Sequence, residues 1–336
     1  MGGEKEIMTT YAGLDVHKRK CHGVIMNEGG EVLRDEEFEN TINGIELFFS
    51  EFEDAQVVIE ACYSWRPTLE RLEEVGLEVK LAHPYKVRAI AEAKIKTDSI
   101  DAKILADLLR ADLIPESYVP PKQIRKLKDK VRLRAELGKE RTRMKSKIRA
   151  ELEKNRIIAR GNPFTIKERE NLRELGIYST DHYLTILEIV EERIKLVEED
   201  FREIAKKNED ARLLMTIPGV GPFSALLILA EIGDVYRFPS PEKLCSYAGL
   251  VPTVHQSGDT RRYGSIKKAG SKHLRWIMVE CVWVHISNAE SRLTEYYYRK
   301  KREKNDGKMA AIATARKMLT AIYFMLKRGE EYRPEG

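Results

Sequence analysis

Tyr11-Ala12-Gly13-Leu14-Asp15-Val16-His17-Lys18-Arg19-Lys20-Cys21-His22-Gly23-Val24-Ile25-Met26 holds two apolar runs separated by three cations. Tyr11–His17 and Cys21–Met26 are each of strand length, and Lys18-Arg19-Lys20 reads as a basic hairpin turn between them. Asn27-Glu28-Gly29-Gly30 is a second turn signal, and Glu31–Phe38 alternates as a third strand. Outward from there the period changes. A helix is predicted near Ile42–Glu53, a strand over Gln56–Ala61, a helix over Pro67–Val75 and a short strand over Glu78–Ala82. Three hairpin strands followed by alternating helix and strand give a mixed α/β sheet. A period of two puts Gly13, Asp15 and His17 on one face of the first strand, with Leu14 and Val16 on the other.

Four acids stand out against this frame. Asp15 ends the first apolar run, and Glu60 closes Val57-Val58-Ile59. Asp98 and Asp101 sit in Lys96-Thr97-Asp98-Ser99-Ile100-Asp101-Ala102, which opens a helix with an apolar face of Ile100, Ile104, Leu105, Leu108 and Leu109. Three residues apart, the two aspartates share a helix face. Helix capping is the better explanation of that pair when it is taken alone, and a strand-end turn is likewise the better explanation of Asp15 alone. Glu60 is harder to dismiss, because an unpaired acid in a central strand costs several kcal/mol if buried. Together the four make a cage for a pair of divalent cations, Mg²⁺ or alternatively Mn²⁺, held by carboxylate oxygen without any His or Cys ligand. Two such ions can clamp the attacking and leaving oxygens of a phosphodiester.

The chain has 336 residues, 34% charged and 42% hydrophobic, which suits two domains joined by a helical linker. No run approaches the ~20 apolar residues that cross a membrane, and the N-terminus lacks the apolar segment of a signal peptide. Cys21, Cys62, Cys245 and Cys281 are scattered. That argues against a zinc site or a disulfide framework and fits a reducing cytoplasm. The net charge of +5 is unevenly placed. Pro121 to Ala150, which includes Arg132 and Arg141, carries thirteen Lys or Arg against three acids. A second cluster is Arg261, Arg262, Lys267, Lys268, Lys272 and Arg275, and a third is Arg299-Lys300-Lys301-Arg302. Such clusters read as a nucleic-acid footprint, or more simply as solvated helix faces.

Pro115, Pro120 and Pro121 mark a boundary. Two long amphipathic segments follow. The first carries Ile124, Leu127, Val131, Leu137, Met144, Ile148 and Leu152, and the second runs from Tyr183 to Ile204. The first has a basic polar face and the second an acidic one, which suits an antiparallel hairpin or pairing with another subunit. Gly161-Asn162-Pro163 connects them. Ile217-Pro218-Gly219-Val220-Gly221-Pro222 then precedes an apolar helix ending near Ile232. Its glycines, Gly219 and Gly221, suit close approach to a phosphate backbone in a helix-hairpin-helix, although a plain helix–helix turn needs similar residues. Helices near Pro241–Ala248, Lys268–His285 and Lys308–Leu326 complete an all-α region. Val251–Ser265 has no clear period and reads as an exposed loop. Within it, Ser257 precedes Gly258 beside His255 and the arginines. By itself this is an ordinary turn serine, with the option of attacking phosphorus if activated.

Taken in order, these segments resemble a known family. Gly13-Leu14-Asp15-Val16-His17-Lys18, Ile59-Glu60-Ala61 and Thr97-Asp98-Ser99-Ile100-Asp101-Ala102 are similar to the DEDD-type insertion-sequence transposases, a family with DNA invertases and bridge-RNA-guided recombinases. So are Ile217-Pro218-Gly219-Val220-Gly221, Tyr247-Ala248-Gly249-Leu250-Val251-Pro252, Ser257-Gly258 and Lys268-Ala269-Gly270 leading to Leu274-Arg275. The resemblance spans about residues 10–328. It implies a RuvC-like, ribonuclease-H-fold domain over 8–115 holding Mg²⁺ through Asp15, Glu60, Asp98 and Asp101. A coiled-coil linker over 121–210 and a helical transposase domain over 211–330 would follow. It further implies Ser257 as nucleophile, with DNA strand exchange through a phosphoserine. The implied partners are double-stranded DNA, a noncoding guide RNA and further copies of the chain, as dimers assembling to tetramers. The implied setting is a prokaryotic cytoplasm at the nucleoid. Lys18, Arg132, Arg141, Gly219, Gly221, Arg261, Arg262, Lys267, Lys268, Lys272 and Arg275 are the candidate nucleic-acid contacts. One departure is Glu60-Ala61-Cys62-Tyr63-Ser64-Trp65, where the family often has a glycine soon after the acid. The rival readings are a metal-dependent junction endonuclease, which would not need Ser257, and a non-catalytic nucleic-acid-binding derivative.

Overall fold

Tyr11–Val16 (β1) and Lys20–Met26 (β2) form the expected antiparallel hairpin, with Asp15 directly opposite His22. This comes from a computed structural model, which describes residues 9–91, 97–158, 161–257, 260–266 and 270–334. Val32–Glu39 (β3) continues the meander, then Ile42–Phe49 (α1), Gln56–Glu60 (β4), Trp65–Val75 (α2), Glu78–Ala82 (β5), Pro84–Ile90 (α3) and Asp98–Arg110 (α4). The sheet order is β3-β2-β1-β4-β5. β1 pairs parallel with β4, and β4 pairs parallel with β5. The charged strand β3 lies at one edge, where Arg34, Asp35, Glu36 and Glu37 discourage pairing with another chain.

The two faces of the sheet are covered differently. Ala12, Leu14, Val16, Ile25, Val57 and Ile59 bury against Ile45, Phe48, Leu69 and Leu72 of α1 and α2. The opposite face, with Val24, Met26 and Val58, is covered by Ala102, Leu105, Ala106 and Leu109 of α4. Gly13 makes that second contact possible. A Cβ there would stand 2.1 Å from Ala102 O and 2.5 Å from Ala106 N, so α4 lies directly on the β1 backbone.

Residues beyond Val119 form a second compact unit. It holds Lys122–Lys154 (α5), Ile166–Glu174 (α6), Tyr178–Lys207 (α7), Glu209–Leu214 (α8), Pro222–Ile232 (α9) and Pro241–Tyr247 (α10). Pro252–Ser257 (β6), Thr260–Ile266 (β7), Lys272–Asn288 (α11), Arg292–Lys304 (α12) and Gly307–Arg328 (α13) follow. The segments 121–210 and 211–330 thus share one unit. α5 and α7 pack as an antiparallel pair within the chain, since Lys130 meets Asp200, Arg134 meets Glu198 and Lys145 meets Glu191. Val131 of α5 and Phe201 of α7 join the core formed by α9, α11 and α13.

Two expectations change. Val251–Ser265 is not an irregular loop: most of it is the two-stranded hairpin β6–β7, so the C-terminal region is not all helical. The β-branched and aromatic residues Thr253, Val254, Thr260 and Tyr263 favour strand. Also, Gly307–Arg328 is long and apolar enough, by composition, to cross a membrane, yet it is a core helix. Ala311, Thr314, Ala315, Met318, Leu319 and Ile322 are buried among its neighbours.

Candidate active site

Topology brings two of the acids together before any side chain is considered. Asp15 and Glu60 each follow the last parallel pair, Leu14 with Ile59, at the carboxyl ends of adjacent strands. Cys62 ties those ends together, its Sγ donating to Val16 O at 3.5 Å. The chain makes the turn after Glu60 without a glycine: Cys62 N donates to Glu60 O at 2.7 Å, Trp65 packs on the core, and Tyr63 stands in solvent.

Asp98 and Asp101 arrive from the other side. The Thr97 hydroxyl caps α4 by accepting from Ile100 N at 3.2 Å. Because Gly13 and Asp15 share a face, the helix seated on Gly13 carries its first turn over Asp15. His17 Nε2 lies 3.3 Å from Asp15 Oδ2 and 3.3 Å from Asp98 Oδ2. One donor atom from each of these three residues falls within 4.8 Å of the others. Two donors about 2.1 Å from a single cation, at right to tetrahedral angles, stand about 3.0–3.5 Å apart, so the spacing fits one shared ion. Burial pushes the Asp15 carboxyl above its usual range, and Asp98 and Asp101 push it further against the pull of His17. A cation would relieve that crowding. Glu60 and Asp101 are half-buried beside this nucleus, and Asp15 and Glu60 both act electrostatically on Cys62. Burial pushes the thiols of Cys21 and Cys281 to about 12 and about 11, so neither supplies a thiolate at neutral pH.

In the second unit, Ser257 ends β6 opposite Thr260, at the tip of the hairpin. The side chains of 253–265 lie outside the described residues, as do Lys267 and Lys268 altogether. The base of the hairpin lies between α10 and α11. Gly249, in the left-handed region at φ +67°, stops α10, and Leu250 N closes the end on Cys245 O. Gly270, at φ +97°, has no room for a Cβ, which would stand 2.0 Å from Tyr247 O, and Ser271 N donates to that same carbonyl. Beneath it the fully buried Glu231 accepts from Ser271 Oγ at 2.9 Å and from Arg132 Nε at 2.8 Å, with Lys128 Nζ at 3.4 Å. Burial raises the Glu231 carboxyl, but these donors outweigh it and hold the group below its usual range.

Residues 211–298 match the transposase IS116/IS110/IS902 family, and residues 12–155 match the DEDD-type IS110 transposase model. The chain is an IS110-family transposase. It is 27% identical to the transposase of insertion sequence IS1111A from Coxiella burnetii, over 82% of this chain and 79% of that protein. It is 25% identical to the IS1328 transposase of Yersinia enterocolitica, over 85% and 88%. A shorter stretch, 37% of this chain and 39% of the relative, is 32% identical to a pilin gene-inverting protein of Moraxella bovis.

Several expected nucleic-acid contacts in the transposase turn out to have internal duties. The Arg132 guanidinium is spent on Glu231 in a two-bond fork. Arg275 donates to Ala248 O at 3.2 Å. Gly219 serves internal packing: at φ +93° a Cβ there would stand 2.8 Å from His285 N. The hairpin before α9 is therefore pressed on α11, and Gly221 is the glycine that faces open space. Lys18 and Lys272 are exposed. Arg141 and Lys272 line a cleft of about 720 Å³ with Arg143 and the ring of Trp276. Sequence reasoning missed His17, although strand alternation already put it on the face of Asp15. It also missed His285, fully buried, whose Nδ1 donates to Pro218 O at 2.7 Å and whose Nε2 accepts from Ser291 Oγ at 2.7 Å. An apolar helix offered no signal for a buried histidine.

Proposed function

We propose that this transposase breaks and rejoins DNA phosphodiesters with a divalent cation held by Asp15, His17 and Asp98, flanked by Glu60 and Asp101, and with Ser257 as nucleophile. The observation that carries the reading is the convergence of Asp15, His17 and Asp98 at 3.3 Å spacings above the ends of two parallel strands. The five-stranded order, with acids at the ends of β1 and β4 and at the start of α4, supports a ribonuclease-H-type arrangement. A bound Mg²⁺ or Mn²⁺ supplies Lewis acidity and neutralises charge on the phosphate. The imidazole of His17 adds a nitrogen donor, which shifts preference from Mg²⁺ toward Mn²⁺.

The role of the chain's own groups follows. Ser257 Oγ forms a bond to phosphorus as the ester oxygen of the cut strand leaves, and the serine proton ends on that oxygen. A hydroxyl from another DNA strand reverses the step, which conserves the bond energy for rejoining. The exposed cleft with Arg141, Arg143, Lys272 and Trp276 combines cations with a stacking surface, a combination suited to nucleic acid, a guide RNA included. Incubation with labelled element-end DNA, guide RNA and Mn²⁺ should trap a covalent protein–DNA adduct, less of it with Mg²⁺ and none in Ser257→Ala. An adduct that survives Ser257→Ala removes serine from the mechanism. Cutting without any adduct points to hydrolysis by water.

A further inference from the structure

We propose that Asp35, together with His22 and Ser99, is a positioning device that tethers the first turn of α4 to the sheet and so fixes Asp98 and Asp101 over Asp15. The proposal rests on the metal reading of the acid cluster. His22 stands directly across from Asp15 in the β1–β2 pair, so the two side chains leave the sheet on the same face. Asp35 projects from the edge strand β3. One of its carboxylate oxygens accepts from His22 Nε2 at 2.6 Å. Ser99 Oγ bridges both oxygens, at 3.1 and 2.9 Å. Three elements, β2, β3 and α4, therefore meet in one hydrogen-bonded chain.

The place of Ser99 gives this chain its meaning. It sits between Asp98 and Asp101 in the helix turn that carries both acids. That turn needs holding, because like charges crowd there and helix ends fray. The Thr97 cap ties the turn only to itself. His17 does reach Asp98, but a cation accepted by both would replace that contact. The tether from Asp35 is independent of the ion, since its oxygens are bonded by His22 and Ser99 and Asp35 stands outside the group formed by Asp15, His17 and Asp98. Asp35 thus does for the acids what outer partners do for ligands in metal sites generally, where their loss costs roughly 10- to 100-fold in affinity.

Mn²⁺ binding to the full chain, followed by calorimetry and by loss of the free-ion paramagnetic signal, tests this. Asp35→Ala and Ser99→Ala should each weaken Mn²⁺ by about 10-fold. The double variant should lose no more than either single change, because both substitutions break the same tether. Ser99→Thr, which keeps the hydroxyl, should retain wild-type affinity. Unchanged affinity in Ser99→Ala, or losses that multiply in the double variant, would overturn the proposal; the second result would make Asp35 a ligand in its own right. If the wild-type chain takes up no Mn²⁺, the metal reading falls by itself. Amide exchange over 99–103 then decides the tether: faster exchange in both alanine variants upholds it, and unchanged exchange rejects it. Ser99→Ala, a small change in an otherwise intact helix, guards against mistaking misfolding for loss of the tether.

Discussion

Asp15 is held in a state that suits a ligand better than a free acid. Its folded-state proton affinity is raised by burial and by Asp98 and Asp101. A carboxyl raised on folding takes up protons more readily in the native state, so stability falls as pH climbs from its ordinary value of 3.8 through the raised one, and stays lower at neutral pH. Metal-free Asp15→Asn should therefore unfold at a higher temperature than wild type at pH 7. The gap should close below the ordinary carboxylate range, while Mn²⁺ binding is lost. Thermal unfolding in a chelator across pH checks this, and equal midpoints at pH 7 would count against it. The place of Asp15 at the end of β1 was legible from a single strand, but a strand-end turn accounts for it equally, and only the set of four acids pointed to a metal. His17 was legible only in retrospect. Its face was known, but its reach to Asp98 depends on where α4 lies, which no local pattern records.

Among the elements, the sheet was readable almost strand by strand, since alternation and turn chemistry are local. The β6–β7 hairpin was not, because polar and cationic residues mask its alternation and the pairing is made by backbone. What fixes that hairpin is its base, where Gly270, Ser271 and Tyr247 meet above Glu231. Nothing in Leu226-Leu227-Ile228-Leu229-Ala230-Glu231 says whether the glutamate caps, ligates or pairs; its partners Lys128 and Arg132 come from about a hundred residues earlier. Removing one member of such a buried set strands the others, at about 3 kcal/mol. Glu231→Ala should lower unfolding stability by about that much, with the largest rise in amide exchange at Ser271 and Tyr247. A uniform rise across the second unit would argue that Glu231 supports the core alone.

At the scale of the whole molecule, the +5 net charge conceals two kinds of cation. Arg132, Arg134 and Lys145 of α5 are paired with Glu231, Glu198 and Glu191, duties that the basic face of the helix did not reveal. Arg141 and Lys272 remain at the cleft. Arg141→Ala with Lys272→Ala should weaken DNA binding and flatten its log–log salt dependence by about 0.9 for each phosphate that is no longer neutralised. Arg132→Ala should instead cost folding stability and leave the slope alone; binding titrations from low to high salt separate the two. Finally, the close seat of α4 on β1 has a bearing on how mobile elements decay. Even one added methyl at Gly13 has nowhere to go, so a copy bearing Gly13→Ala would be silenced with every acid still in place. Counting intact acids will therefore overestimate how many copies in a genome can still move, and the glycine two places before the first aspartate belongs in that count.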